Sequence, residues 1–475
     1  MSTRVVVLGA GPAGLGAALG LARRGIPVDV LERGEAVGGN AGSFEIAGVR
    51  ADYGSHRLHP ATDPEIFAEI RGLLGADLLE RPRHGRIHLL GRFVHFPLRP
   101  LDLLLRMPPA FALGVGFDLA TKPLPKPPAR GPETFASVLE RGLGRTICRD
   151  FYFPYARKMW GLEPEAISAT QAYKRVSAGS IGKMIKRLLP GGAGTGAATA
   201  KGTFFYPRRG FGQICEAYAE AAVAAGARLH LGTTAAAVRR DGGSFVVRAE
   251  GGAAGAPPRE LEAEHVWSTI PNGVLARLLD PAAPPHVLDA ARSLELRSMI
   301  LVYLVLDTDR FTEYDAHYFP GEAIPFTRLS EPKNYAAQGE PRGRTVLCAE
   351  LPCAPTDAVW SMDDAGLGAL VADGLARAGL PVGCDVLSVA TRRLPAAYPI
   401  YREGYEAHFA ALDGFLEGID GLESFGRQGL FAHDNTHHAL FMARAAVDCL
   451  RDDGSFDAAR WREYRAVFET HVVED

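Results

Sequence analysis

The stretch Arg4–Gly14, which reads RVVVLGAGPAG, decides how this chain begins to fold. Its first half, up to Leu8, is a continuous aliphatic run that is typical of a buried strand. A glycine-rich turn follows, and then an Ala- and Leu-rich stretch, 13–24, which predicts a helix. Residues 26–31 predict a second strand. The pattern indicates a βαβ unit whose glycine turn lies at the carboxyl edge of a parallel sheet.

The glycines of this turn suit a dinucleotide phosphate. Gly9 permits the tight turn, Gly11 lets the backbone approach a pyrophosphate, and Gly14 lets the helix pack closely on the strand. Glu32 ends the second strand, 18 positions beyond Gly14, where a carboxylate can accept hydrogen bonds from an adenosine ribose. Because this carboxylate disfavours a 2′-phosphate, NADP is not expected at this site.

A second glycine pair follows in the segment Glu32–Asn40, which reads ERGEAVGGN. Glycine at 38 and 39 lets the backbone pass close to a flavin's phosphates and ring. The E-x5-GG pattern resembles the FAD fingerprint of amine oxidases, protoporphyrinogen oxidases and phytoene desaturases. The residues that this resemblance assigns to FAD here are Gly9, Gly11, Gly14, Glu32, Arg33, Gly38, Gly39 and Asn40.

Further segments, in the same order along the chain, are similar to those of UDP-galactopyranose mutases and protoporphyrinogen-oxidase-like flavoproteins. They are Asp52–Pro60 (DYGSHRLHP), Lys158–Gly161 (KMWG), Pro325–Glu331 (PFTRLSE) and Gly426–Gly429 (GRQG). The resemblance implies an enzyme of this superfamily with non-covalent FAD, because the superfamily's covalent attachments use cysteine or histidine at positions that this chain does not match. The other expected FAD-contacting residues are Val238, Gly429, Asn435 and His437.

The expected fold class is α/β. The resemblance implies a doubly wound Rossmann-type FAD-binding domain, of the two-dinucleotide-binding-fold type, beside a mixed helical and β-sheet substrate domain. Residues 1–75, 213–275 and 395–475 are expected to form the FAD-binding domain, and residues 76–212 and 276–394 the substrate-binding domain. Since 475 residues exceed one ordinary core, the active site is expected where these units meet.

Bulk composition excludes several functions. The formal net charge of -3 offers no broad field for nucleic acid. The six cysteines show no CxxC or Cys/His metal spacing, and the early strand leaves no room for a secretion leader, so a cytoplasmic protein is expected. Prolines and charges interrupt the most apolar region, Leu89–Ala120, so no transmembrane segment is expected and peripheral membrane contact stays open there.

Two reactions remain open. Residues 205–212 (FYPRRGFG) and 267–271 (WSTIP) resemble segments of the oxidase and desaturase branch, in which oxidised flavin takes hydride from the substrate. The mutases instead use reduced flavin on a nucleotide sugar and clamp its diphosphate with arginines and tyrosines. Here Phe431 and His433 replace the expected tyrosines. The first expectation is therefore an oxidoreductase, with mutase-like non-redox chemistry as the alternative.

The expected catalytic residues are His56, His59 and Arg328. An imidazole near the ring could hydrogen-bond the flavin or exchange protons at neutral pH, whereas the alternative is loop-capping histidines. Arg328 is expected to bind a substrate anion, with a structural salt bridge as the alternative. Because Glu331 lies three residues further along the predicted strand, the two side chains are expected to point to opposite faces.

The substrate is expected to be a small organic molecule with an apolar part and an anionic group. Apolar residues within 93–105 support the first property, and several cations support the second. The expected substrate-binding residues are Trp160, Arg175, Tyr206, Arg208 and Tyr398. The histidines at 433, 437 and 438 suggest a metal site, but Asn435 or Thr436 is a natural helix N-cap there, so no metal is expected.

Overall fold

The computed structural model describes residues 3–96, 105–121, 131–175, 202–252, 257–337 and 339–473. Residues 97–104 of the apolar stretch 93–105 lie outside these ranges. At Arg175, which ends the third range, the description covers the backbone and not the side chain. Among the described residues, no helix combines the length and the apolar composition that a bilayer-spanning segment needs.

A five-stranded parallel sheet forms around the first predicted strand. In spatial order its strands are Leu422–Ser424, His265–Ser268, Val5–Leu8, Val28–Leu31 and Arg228–His230. The central strand is fully buried, because Val5 and Val7 face one apolar cluster and Val6 and Leu8 face another. Packing on both faces explains why this strand reads as an uninterrupted aliphatic run.

Small residues bring two helices together on one face of this sheet. Helix Pro12–Arg23 packs on helix Thr436–Cys449 through Gly16 and Gly20. A Cβ atom at Gly20 would lie 2.9 Å from a methyl carbon of Val447, so a larger side chain would push the helices apart. The first and last thirds of the chain are therefore joined directly behind the glycine turn.

A seven-stranded mixed sheet forms the second layered unit. In spatial order its strands are Val386–Pro399, Leu296–Leu306, Thr345–Cys353, Arg328–Ser330, Ala316–Tyr318, Gly85–Leu89 and Arg92–Phe96. Neighbouring strands are antiparallel except where Ala316–Tyr318 meets Gly85–Leu89. Helix Asp364–Arg377 covers one face through buried Leu367, Val371 and Leu375.

The remaining strands are Ser43–Ile46, Val49–Asp52, Leu78–Pro82, Thr203–Pro207, Thr233–Asp241, Ser244–Gly251, Arg259–Ala263 and Leu279–Asp280. The remaining α-helices are Pro64–Leu74, Pro109–Thr121, Phe135–Leu143, Arg145–Ile147, Phe153–Trp160, Ala169–Arg175, Gln213–Ala224, Asn272–Leu278, Pro285–Ser293, Pro332–Ala336, Tyr405–Glu417, Gly426–Gly429 and Ala458–Phe468. The chain is thus a mixed α/β protein.

Candidate active site

A cavity of about 1160 Å³ lies between the two sheets and the helical segment 135–160. Its wall includes the glycine turn after the first strand, the strand Arg328–Ser330, and the end of the strand Val386–Pro399. Single small-molecule pockets measure roughly 300–1,000 Å³. This cavity is therefore large enough for two molecules at once, a cofactor and a substrate.

The glycine turn forms a cradle for an anion. Gly11 is the N-cap of helix Pro12–Arg23, where no side chain caps the helix and the first turn contains no acid. Its first N–H groups are therefore available to a ligand, and the helix dipole favours negative charge there. A Cβ atom at Gly11 would meet nothing within 4 Å, and one at Gly39 would lie 3.6 Å from the Gly11 Cα. The two glycines leave the space that a pyrophosphate needs.

Glu32 lies at the edge of the same cradle. Its carboxylate accepts the backbone N–H of Ala10 at 2.8 Å and that of Gly34 at 2.7 Å, one hydrogen bond on each oxygen. Because a carboxylate oxygen can accept a second hydrogen bond, Glu32 can still bind ribose hydroxyls. Arg33 and Asn40 line the cavity as well. These positions fit an adenosine dinucleotide.

Three of the predicted FAD-contacting glycines shape the backbone instead of lining the cavity. A Cβ at Gly14 would lie 1.9 Å from the carbonyl oxygen of Gly9, which matches its expected packing role. Gly38 adopts a φ of +108°, in the left-handed region that favours glycine. A Cβ at Gly429 would lie 2.8 Å from the Ser424 hydroxyl oxygen. All three positions hold the turns around the cavity in place.

Val238 and His437 are also outside the cavity lining. Val238 is buried in an apolar cluster with Phe245, because its side chain points away from the cavity into the packing between strands. The start of the same strand lines the cavity instead, through Thr233, Thr234 and Ala235. The predicted contact was therefore placed too far along the strand.

A second helix begins at the cavity. Asn435 is the N-cap of helix Thr436–Cys449, as the sequence predicts, and its backbone N–H donates to Nδ1 of His438 at 3.2 Å. Asn435 and Thr436 both line the cavity. The positive end of this helix dipole therefore faces the cavity and stabilises negative charge there.

His56 and His59 occupy different environments. His56 lines the cavity, and its ring stacks on Phe211 with 5.2 Å between centroids. Burial lowers the pKa of His56 to about 3, and the guanidinium groups of Arg328 and Arg427 add to the effect. His59 does not line the cavity, and its Nδ1 accepts the backbone N–H of Ala61 at 3.1 Å, which fits the loop-capping alternative.

We expect His56→Asn to lower turnover or shift the flavin spectrum without changing the shape of the pH–rate profile. The folded-state pKa lies below the ordinary 6.5, so the imidazole is neutral at pH 7 and its contribution to stability is lost only as pH falls from 6.5 towards 3. The measurement is kcat/KM between about pH 5 and 8, where an ordinary histidine would titrate. A profile whose inflection disappears in the variant would show that His56 exchanges protons.

Arg328 forms a buried ion pair with Glu350. Its Nε and Nη2 donate to the two carboxylate oxygens at 2.9 Å each, and the two residues face each other on neighbouring strands. Burial disfavours the charge, yet Glu350 raises the pKa of Arg328 above its usual value. Glu350 also accepts the backbone N–H of Ser55 at 2.7 Å. The salt-bridge alternative for Arg328 therefore fits the geometry better than direct anion binding.

Trp160 and Tyr398 line the cavity, whereas Tyr206 and Arg208 do not. The Tyr206 hydroxyl is buried and donates to Asp52 at 2.6 Å, so it is directed into the core. The Arg208 side chain is exposed and reaches Asp77 at 3.3 Å. The expectation that these two residues bind substrate is wrong for this geometry, because folding directs both away from the cavity.

Lys158 fixes the wall that carries Trp160. Its Nζ lies within hydrogen-bond distance of four carbonyl oxygens, those of Gly321, Ile324 and Phe326 at 2.7, 2.8 and 3.0 Å and that of Phe319, which share its three N–H donors. These bonds tie the helix Phe153–Trp160 to the loop before strand Arg328–Ser330. The KMWG segment thus positions the aromatic wall.

Four further arginines, not among the predicted site residues, line the cavity, namely Arg57, Arg392, Arg393 and Arg427. The guanidinium carbon of Arg392 lies 3.8 Å from the Tyr53 ring centre, and that of Arg427 lies 4.5 Å from the Tyr398 ring centre. Stacking on aromatic faces orients a guanidinium group, and the Nη2 of Arg427 also donates to the carbonyl oxygen of Ala397 at 2.9 Å. The signal for Arg427 was its place in GRQG, whereas nothing local distinguishes Arg392 from other arginines.

Asp434, His438 and His471 bring three potential metal-ligand atoms within 4.8 Å of one another. The imidazoles of His438 and His471 stack with centroids 4.2 Å apart and planes only 12° apart. Near-parallel rings at this spacing do not direct lone pairs to one point, since a metal lies about 2 Å from its ligand in the ring plane. Burial opposes ionisation of Asp434, yet these imidazoles lower its pKa below the usual range.

A dinucleotide cradle opening into a large aromatic cavity defines a class of enzyme that holds a cofactor beside its substrate. Residues 12–414 match the family model described as flavin containing amine oxidoreductase. Because this match spans most of the chain, the protein belongs to the flavin-containing amine oxidoreductase family and is a flavoenzyme. The resemblance identified in the sequence is confirmed.

Solved structures of known proteins share this fold. A reduced UDP-galactopyranose mutase has a TM-score of 0.79 at 20% identity, covering 99% of this chain and 100% of its own. A protein of Exiguobacterium sp. 255-15, whose suggested activity is protoporphyrinogen oxidase, has a TM-score of 0.72 at 20% identity, covering 94% and 98%.

A putrescine oxidase bound to putrescine has a TM-score of 0.64 at 19% identity, covering 94% of this chain and 98% of its own. No curated protein sequence matches the chain significantly. These structural likenesses show the fold alone, and the neighbours include both oxidases and a mutase. The fold is therefore compatible with more than one reaction, and the residues of the cavity define the chemistry.

Proposed function

We propose that this protein is a FAD-dependent oxidoreductase, of the oxidase or dehydrogenase type, that takes hydride from an amphipathic, anionic organic substrate. The observation that carries the proposal is the shared cavity. One wall offers helix N-termini and glycines to a dinucleotide, and another offers aromatic rings and guanidinium groups to a second molecule. This arrangement suits a reaction between a bound cofactor and a substrate.

The proposal includes the domain organisation. A doubly wound Rossmann-type FAD-binding domain would be assembled from residues 1–75, 213–275 and 395–475, with 76–212 and 276–394 as the substrate domain. In support, all five strands of the parallel sheet fall within the first set, and all seven strands of the mixed sheet begin within the second. The strand Val386–Pro399 crosses the proposed boundary and links the two units.

Bound FAD would supply a two-electron acceptor. The cradle of Gly9, Gly11 and Gly39 would hold its pyrophosphate, and Glu32 its ribose hydroxyls. The N-terminus of helix Thr436–Cys449 would stabilise negative charge on the ring. His56, neutral at pH 7, would donate or accept a hydrogen bond at a fixed position, which orients the reacting groups and excludes water.

The cavity wall indicates the substrate's chemistry. Phe151, Tyr155 and Trp160 offer an aromatic surface to an apolar part. The guanidinium groups of Arg392 and Arg427 can hold an anionic group such as a carboxylate or phosphate. An amphipathic anion uses both kinds of surface.

FAD is expected to be released intact when the protein is denatured. The described cavity lining contains no cysteine, and the superfamily resemblance gives no matching attachment position. The measurement is acid precipitation followed by chromatography of the supernatant, in which essentially all flavin should elute as free FAD. Flavin that remains in the pellet would contradict non-covalent binding.

A cytoplasmic location is part of the proposal. It is supported by the six unpaired cysteines, most of them buried, because disulfides are rare in a reducing compartment.

The test of the reaction is anaerobic mixing of the oxidised holoenzyme with a panel of amphipathic anionic amines, porphyrinogens and polyenes. A substrate should bleach the flavin absorbance, and oxygen or a dye should restore it. The matched variant Arg392→Gln should raise KM for an anionic substrate more than for an uncharged analogue. A panel that never bleaches the flavin argues against hydride transfer.

A mutase-like reaction on a nucleotide sugar is the second candidate. It is favoured by the presence of Arg392 and Arg427 in the lining of one cavity, since more than one guanidinium group suits a diphosphate. This candidate requires conversion of a nucleotide sugar only after the flavin has been chemically reduced, with no net consumption of electrons. Activity of the oxidised enzyme alone would exclude it.

A further inference from the structure

Helix Pro109–Thr121 has an apolar outer face. Its inner side buries Phe111, whereas Leu113 is 74% exposed and Phe117 is 70% exposed. Leu105, just before the helix, is 77% exposed. These are the three most exposed large hydrophobic side chains among the described residues. A surface helix normally turns polar side chains outward. A contiguous apolar face of this kind therefore marks a surface that binds another molecule or a membrane.

The whole outward stripe of this helix is uncharged. Its exposed positions are Pro109, Ala110, Leu113, Gly116, Phe117 and Ala120. The helix contains a single acid, Asp118, whose carboxylate turns inward and accepts the backbone N–H of Thr146 at 2.7 Å. The stripe therefore offers apolar surface and no side-chain hydrogen bonds to whatever covers it.

Cations lie around this stripe. Arg92, Arg106 and Arg145 are exposed, and Arg145 directly precedes the Thr146 that contacts the helix. An apolar stripe bordered by cations is complementary to an anionic lipid surface, because the apolar side chains contact the acyl chains and the cations pair with the anionic headgroups.

The inner side of the same helix packs on the cavity wall. Phe111 and Met107 belong to an apolar cluster with Ile87 and partly buried Phe96 and Phe151. The last three residues also line the cavity. The helix and this one layer of wall residues thus separate the outer apolar stripe from the cavity.

We propose that the outer face of helix Pro109–Thr121, together with Leu105, docks on an anionic membrane surface, so that an amphipathic substrate passes between the lipid and the cavity. Docking is independent of the chemistry, and only the passage of substrate rests on the proposed function. A failure of docking therefore leaves the flavin reaction standing, and a failure of the reaction leaves docking standing.

The experiment is flotation of the purified holoenzyme with vesicles of equal parts phosphatidylcholine and phosphatidylglycerol, and with vesicles of phosphatidylcholine alone. We expect binding to the mixed vesicles that weakens with added salt and is much weaker on phosphatidylcholine. Leu113→Asp combined with Phe117→Asp should reduce partitioning at least about tenfold, since two large apolar side chains lose their lipid contact. Flavin content and thermal stability should not change, because both side chains already face solvent.

Leu387→Asp is the matched control, because Leu387 is a similarly apolar, exposed residue at the opposite edge of the seven-stranded mixed sheet. It should bind vesicles like the wild type. Equal partitioning of the double variant and the wild type would overturn the proposal. So would wild-type protein that ignores vesicles but forms a dimer which the double variant loses, since a second copy would then cover the face.

Discussion

Replacing Gly11 by valine is expected to give a folded protein that is purified without flavin. Gly11 has a φ of -76° and a ψ of -178°, an extended conformation that any residue adopts, so the backbone is not strained. A Cβ there meets no protein atom within 4 Å. The branched side chain would instead fill the space in which the cofactor's phosphates approach the helix N-terminus.

The loss of FAD affinity should be at least about a hundredfold, the size expected when extra methyl groups overfill a close contact. The measurements are the ratio of flavin to protein absorbance after purification, a fluorescence titration of the apoprotein with FAD, and the apoprotein's melting temperature. The melting temperature should match that of wild-type apoprotein. A variant that binds stoichiometric FAD would show that the cradle is used differently.

Two further glycine variants distinguish a loss of FAD binding from a failure of the protein to fold. Gly72→Ala, on helix Pro64–Leu74, is the matched control, since its Cβ also meets nothing within 4 Å and it lies away from the cavity lining. This variant should keep its FAD. Gly14→Ala should fail to fold correctly, because its Cβ would lie 1.9 Å from a backbone oxygen.

Glu350→Gln is expected to destabilise the protein by about 3–5 kcal/mol and to reduce kcat/KM sharply. The change leaves the buried guanidinium of Arg328 without its counter-charge, and breaking a buried pair costs about that much. The amide nitrogen would also face guanidinium N–H donors, and the hydrogen bond from Ser55 would weaken. Chemical denaturation measures the first effect and steady-state kinetics the second.

The exposed pair Arg402–Glu295 provides the control. Its Nε–Oε1 distance is 2.9 Å, as in the buried pair, but both side chains are 47% exposed. Glu295→Gln should therefore change the free energy of unfolding by less than about 1 kcal/mol, as for other surface pairs. Equal losses in the two variants would mean that Glu350 is effectively solvated and that the cavity is more open than this packing implies.

The cradle could be predicted from the sequence because its parts are local. Gly9, Gly11 and Glu32 follow within one βαβ unit, so spacing alone brings them together. The Arg328–Glu350 pair could not, because it depends on the antiparallel register of two strands 22 residues apart. Arg328 was singled out by its motif, but nothing in the sequence pattern shows which carboxylate faces it.

Errors arose where a motif was assumed to face the cavity. Tyr206 and Arg208 belong to a segment that resembles the oxidases, yet the hydroxyl of Tyr206 points to Asp52 and Arg208 points to solvent. Side-chain direction is a tertiary property that local patterns do not fix.

The pairing of helix Pro12–Arg23 with helix Thr436–Cys449 has a consequence for biosynthesis. The two helices are separated by more than 400 residues, and a ribosome adds about 5–20 residues per second. Roughly 20 to 80 seconds therefore pass between the synthesis of helix Pro12–Arg23 and that of helix Thr436–Cys449. Until then the apolar side of the first of these helices is open to chaperones, and the flavin pocket lacks the helix end contributed by Asn435. Cofactor loading is thus a step that follows synthesis of helix Thr436–Cys449.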